Sequence, residues 1–218
     1  MRNKMTFMWI ISILILGAGV NFAQDNDGQA GKTETKGIES KLIDNFDKQG
    51  NTFGGRSSTY MEQPSGIMAR RTDEVFYGNS GKSLELRYKK ANEGGKFGTG
   101  GWCGYYSVIK TGPRQFFDAS GYKYLTFYVK GEKGGENFKI GMADEVWEQR
   151  EDSMKSDQIG AYLKDGKITT EWQKVQIPLN DFWIDNKKLA SIAICFEGDV
   201  FPEGKGEGTV YIDDMKFE

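Results

Sequence analysis

Among 218 residues there are 5 tryptophans and 10 tyrosines, and what they could do depends on their neighbours. Trp102, Tyr105 and Tyr106 follow the glycine-rich stretch from Asn92 to Gly101, NEGGKFGTGG, a place where rings can be presented to a ligand. Asp144, Glu145, Trp147, Glu148 and Arg150 crowd together just after an alternating segment, mixing a ring with hydrogen-bonding groups on what reads as a loop. Tyr60, Tyr128 and Tyr162 could occupy strand faces turned away from the core. A polyhydroxylated ligand needs such a mixture: the C–H face of a sugar ring packs on an aromatic face, and its hydroxyls pair with carboxylates, amides or guanidinium groups. Most aromatic residues still serve as core. Trp172 reads as packing, and Trp183 is compatible with either role.

Catalytic chemistry has little to stand on. The chain contains no histidine, so the commonest general base and the commonest metal ligand are both missing. It has no GxSxG elbow and no Ser-His-Asp set. Glycosidases need two carboxylates at a defined separation, but 31 acidic residues make some such pair inevitable, so the criterion discriminates nothing. Glu145, Glu148 and Glu151 lack the alternation that would set acids along one strand face. The glycine-rich stretch lacks the Gly-Lys-Ser/Thr of a phosphate loop, and no strand-GxGxxG-helix unit occurs. With 29 basic residues, a formal charge of -2 and no basic block, nucleic acid and anionic membrane surfaces are poor partners. These features point to binding without catalysis. Cys103 and Cys195 are the only cysteines; a disulfide and two buried thiols both stay open.

The elements that must position these residues are strands. Leu84, Leu86 and Tyr88 share one parity, with Glu85 and Arg87 on the other. Leu125, Phe127 and Val129 repeat the pattern, as do Phe138, Ile140 and Met142; Val175, Ile177 and Leu179; and Ile192, Ile194 and Phe196. Glycine-rich and polar turns separate them, and no helical stripe is convincing, so the class is all-β, a sandwich or barrel. In the last segment Val210 and Ile212 change phase with Met215 and Phe217, which predicts a bulge at Asp213-Asp214. At the other end, Arg2 and Lys4 precede an apolar run from Phe7 to Val20 and Ala23, the pattern of a signal peptide over residues 1–23. Residues 24–40 read as a polar, flexible linker, and residues 41–218 as one domain, secreted, periplasmic or held at a cell surface.

Several segments, read in order, resemble the galactose-binding-like jelly-roll carbohydrate-binding modules, especially the family 11 type and its relatives. They include Leu42-Ile-Asp-Asn-Phe-Asp47, Gly81-Lys-Ser-Leu-Glu-Leu86, Gly101-Trp-Cys-Gly104, Phe117-Asp-Ala-Ser-Gly-Tyr122, Ile168-Thr-Thr-Glu-Trp-Gln-Lys-Val175 and Val210-Tyr-Ile-Asp-Asp214. The resemblance implies a jelly-roll β-sandwich of two antiparallel sheets with its chain ends together, binding a polysaccharide or other glycan through Trp102, Tyr106, Asp144, Trp147, Arg150, Tyr60, Tyr128 and Tyr162. It also implies a structural calcium near those ends, with Asp44, Asp47 and Asp213 as ligands together with the backbone carbonyl of Lys82 or Ser83, all hard oxygen donors. The competing reading is an adhesion or scaffolding module whose rings meet a cell-surface protein instead of a glycan. A glycoside-active enzyme is the remote third.

Overall fold

The computed structural model describes residues 39–94, 100–201 and 203–218. The leader and nearly all of the linker lie outside the described residues, as does the middle of the glycine-rich stretch. Eleven strands form two antiparallel sheets. One has the order β3 (Gly66–Thr72), β4 (Ser83–Lys90), β11 (Gly206–Phe217), β6 (Tyr124–Gly131), β9 (Gln173–Pro178), and β1 (Lys41–Asp44) pairs with the far end of β11. The other has the order β2 (Ser57–Met61), β5 (Cys103–Val108), β10 (Leu189–Phe196), β7 (Lys139–Asp144), β8 (Met154–Gln158).

The period-two patterns become the two inner faces. Leu84, Leu86, Tyr88, Leu125, Phe127, Val129, Val175, Ile177, Val210 and Ile212 come from the first sheet. Cys103, Tyr105, Ile140, Met142, Ile192, Ile194 and Phe196 meet them from the second. Each large apolar side chain so buried stabilises the fold by about 1.5–3 kcal/mol. Tyr88 stacks on Phe196 across the interface, with ring centroids 3.9 Å apart. The expected bulge is present: pairing of β11 with β6 slips between Asp213 and Lys216, and Asp214 takes φ 49°. That slip returns Met215 and Phe217 to the core.

One helix, α1 (Glu145–Gln149), replaces the loop expected after β7. Asp144 caps it, its Oδ1 accepting the amides of Val146 and Trp147 at 2.9 Å each, and Glu145 and Glu148 lie in the first turn, where acids favour the helix dipole. Five residues are too few for a helical period to show in the sequence. The cysteine question resolves in register: on β5 and β10, Cys103 lies opposite Phe196 and Cys195 opposite Gly104. Adjacent rungs put side chains on opposite faces, and both thiols are free.

Candidate functional site

The outer face of the second sheet holds three rings in a row. Trp102, just ahead of β5, is 43 % exposed. Its ring centroid lies 5.6 Å from that of Tyr60 on β2, which lies 6.5 Å from that of Tyr106 on β5. The rings meet because β2 and β5 are paired so that Tyr60 faces Gly104 and Ser58 faces Tyr106. Gly104 makes this possible. A Cβ there would collide with the Tyr60 ring and with the Ile194 carbonyl, so only glycine lets Tyr60 lie down on the sheet. From that position the Tyr60 hydroxyl donates to Cys195 Sγ at 3.1 Å, and burial raises its pKa far above that of free tyrosine. Burial also pushes the Cys195 thiol up to about 12, with the Glu197 carboxylate adding to the effect, so the thiol is a buried neutral group and no nucleophile.

Beside the rings, the two central strands present almost no side chains outward. Ala193 pairs with Tyr106 on one side and Gly141 on the other, and Ser191 with Val108 and Ala143. The result is a floor of small residues with a wall of rings along one flank. Charged groups stand on the other flank: Lys155 on β8 pairs with Asp152 at 3.0 Å and with Glu197 at 3.4 Å, and Lys139 pairs with Asp199. Arg56 donates to the Tyr106 hydroxyl and lies over the Tyr106 ring, 5.7 Å from its centroid. At the α1 end, Lys110 pairs with Glu148. This arrangement can stack on the faces of consecutive rings and hydrogen-bond their edges. It offers no separated, pKa-tuned acid and base.

Of the ligand-contact residues expected from sequence, Trp102, Tyr60 and Tyr106 come together here. Trp147 and Arg150 do not share that row; they line a separate depression with Phe182 and Trp183, and Arg150 stacks over Trp147 at 5.1 Å. Asp144 is 5 % exposed and fully engaged, its Oδ2 accepting the Asp185 amide at 2.9 Å in addition to the helix cap, so it holds structure. Tyr128 lies on the opposite sheet, covered by Tyr77 at 3.5 Å. Tyr162 ends a short 3-10 turn, Ile159–Tyr162, not a strand; its hydroxyl accepts the Asp157 amide and donates to Asp181 at 3.2 Å. Sequence reading missed Arg56, Lys155, Glu197 and the glycine floor. The signal was there: once Ile140, Met142, Ile192 and Ile194 are assigned inward, Gly141, Ala143, Ser191 and Ala193 must face out, and a run of small residues on two central strands marks a trough.

The calcium candidates are divided. Asp44 is buried, with one oxygen accepting the Phe46 amide at 2.7 Å and the other bound to Arg71 at 3.1 Å. The Ser83 hydroxyl donates to the Val75 carbonyl at 2.6 Å. Asp47 accepts the Lys82 amide at 2.8 Å, and Asp213 accepts the amides of Tyr77 and Asp214 at 2.9 and 2.8 Å. No three acidic, cysteine or histidine side chains converge on one point among the described residues. Burial pushes the Asp213 carboxyl up to about 6, with the Asp214 and Asp47 carboxylates contributing in the same direction.

A model of the family described as carbohydrate binding domain 30 matches residues 42–218. The chain belongs to that family. Its members' role, non-catalytic carbohydrate binding, is the role of this family 30 module. No curated protein matches the chain. The family 30 module of the cellulosomal cellulase Cel9D-Cel44B of Clostridium thermocellum is 25 % identical, covering 75 % of this chain and 90 % of its own, with a TM-score of 0.52. The family 11 module of the cellulosomal cellulase Lic26A-Cel5E of Clostridium thermocellum is 14 % identical, covering 83 % and 94 %, with a TM-score of 0.57. A second structure of a family 11 module from that organism, in complex with a β-1,3-1,4-mixed-linked tetrasaccharide, is also 14 % identical, with a TM-score of 0.57 and coverage of 82 % and 94 %. These last two share the fold, the two-sheet sandwich that the resemblance implies. Family 30 membership refines the resemblance to the family 11 type into a neighbouring family.

Proposed function

We propose that the family 30 module binds an extended β-glucan chain along the outer face of the five-stranded sheet, over Trp102, Tyr60 and Tyr106. The observation that carries this reading is the row of three rings beside a floor of small residues, which suits a linear chain of sugar rings. Arg56, Lys155 and Glu197 would serve the hydroxyls at its edges. The mixed-linked tetrasaccharide bound by a family 11 module of the same fold supports this ligand class. Affinity electrophoresis in soluble mixed-linkage β-glucan tests it: the protein should be retarded, Trp102→Ala should be retarded much less, and reducing ends should not accumulate. A cell-surface protein retained in place of any glycan would decide for the adhesion reading.

Two further assignments belong to this proposal. Export rests on the leader pattern over residues 1–23, and amino-terminal sequencing of the mature protein should begin after Ala23. A calcium ion would be held by Asp47 and Asp213, since Asp44 is already paired with the Arg71 guanidinium, and it would offset the mutual repulsion of these carboxylates.

A further inference from the structure

Beyond α1 from the ring row lies a second candidate surface, a shallow and open depression between α1 and the segment from Asn180 to Asn186. Trp183 is 84 % exposed, more than any other large hydrophobic side chain among the described residues. Trp147 lines the same depression, with Arg150 over its ring. An indole so exposed costs solubility and gives the core nothing. The remaining walls carry the amides of Asn180 and Asn186, and Asn186 Oδ1 is buried without a hydrogen-bond donor. Helix α1 keeps the two sites apart, because Glu148 turns to Lys110 on the outer sheet face while Trp147 turns to the depression. The Asp144 carboxylate fixes both walls at once, capping α1 with one oxygen and holding the Asp185 amide with the other.

We infer that this depression is a second saccharide site, in which Trp183 and Trp147 take the faces of one or two sugar rings and Arg150 and Asn180 take their hydroxyls. The inference rests on the carbohydrate-binding role of the module but not on the ring row being its site. Two indoles with a guanidinium and the exposed Asn180 amide beside them fit a sugar ring better than an aliphatic peptide, since both its apolar face and its hydroxyls find partners. Two sites on one module let a long polymer bind twice. The second contact is then intramolecular, so apparent affinity for a polymer rises without any change in affinity for a short oligosaccharide at the first site.

The test compares the full chain with Trp102→Ala, Trp183→Ala and the double variant, by affinity electrophoresis in mixed-linkage β-glucan, xyloglucan and xylan. A parallel calorimetric titration uses the mixed-linked tetrasaccharide. Trp183→Ala should weaken retardation in at least one polymer by about tenfold or more, the scale of a lost second contact. The melting temperature of that variant should stay as in the wild type, its tetrasaccharide titration should lose only the second binding event, and the double variant should lose retardation altogether. If Trp183→Ala matches the wild type in all three polymers, the second site is overturned. If Trp102→Ala matches the wild type while Trp183→Ala does not, the ring row fails and this site stands. Wild-type protein that none of the three polymers retards would overturn both.

Discussion

On the outer face of the six-stranded sheet, Tyr128 lies under Tyr77, centroids 3.5 Å apart and planes 15° from parallel, and Trp172 meets Tyr77 edge-on at 6.1 Å. The loop that carries Tyr77 is tied down by the hydrogen bond its backbone amide donates to the Asp213 carboxylate. Nearby, Glu85 is only 2 % exposed because Arg70, at 2.7 Å, and Arg87, at 3.4 Å, close over it. On the outer face of the five-stranded sheet the rings of Trp102, Tyr60 and Tyr106 stand beside glycine and alanine, with no loop laid across them among the described residues. Both faces are aromatic, but one is covered by its own chain and the other is the face proposed to take a ligand. A count of rings therefore says little about binding; whether the chain covers them says a great deal.

The comparison breaks most sharply if the floor is filled. Gly104→Ala places a Cβ against the Ile194 carbonyl and the Tyr60 ring, and the backbone contact cannot swing aside. We expect a loss of about 2–3 kcal/mol from overpacking, read as a melting temperature lower by about 4–12 °C. Polysaccharide binding should fall with it as Tyr60 is lifted. Trp102→Ala should act on binding alone: removing a central aromatic anchor costs about 2 kcal/mol or more, roughly a thirtyfold loss of affinity. Because its side chain is already 43 % exposed, the melting temperature should move by no more than about 2 °C. Tyr77→Ala is the mirror image. It removes the stack on Tyr128, worth about 0.5–1.5 kcal/mol, so it should lower the melting temperature by a few degrees and leave glycan binding untouched. If Tyr77→Ala weakened binding as Trp102→Ala does, the two faces would not differ as described.

Sequence alone showed the first of these faces less well than the second. Alternation of apolar residues is strong on β4, β6, β7, β9, β10 and β11, so the class, the inner faces and even the bulge at Asp213-Asp214 were legible. The edge strands β2, β3 and β8 are short or only partly buried and carry weaker alternation, so the partners of Tyr60 and Lys155 could not be read off. Proximity in sequence misled where the chain turns a corner. Trp147 and Asp144 lie close together in the chain and border the same depression, yet the Asp144 oxygens are spent on a cap and a loop amide. Tyr128 looked available because its parity is outward, and nothing local to β6 announces that a loop fifty residues earlier will cover it.

The smallest expected effect concerns where the covering loop meets Asp213. This carboxyl has its pKa raised from the ordinary 3.8 to about 6, so the folded state holds a proton that the unfolded chain has already released. Stability from this group is complete below about pH 4 and is lost as pH rises through 6. Asp213→Asn removes the titration, so in EDTA the variant should gain on the wild type between pH 4 and pH 7, by about 1 kcal/mol after allowance for solvent screening. Calcium inverts the sign. If Asp47 and Asp213 hold the ion, they bind it ionised, so added calcium should raise the wild-type melting temperature more at pH 7 than at pH 4, and Asp213→Asn should abolish the increment. Paired melting curves in EDTA and in calcium, at both pH values, check this. An increment that Asp213→Asn leaves intact would remove the carboxylate from the ion's shell, and no increment at either pH would remove the ion. The pinned loop over Tyr128 would then rest on hydrogen bonds and stacking alone.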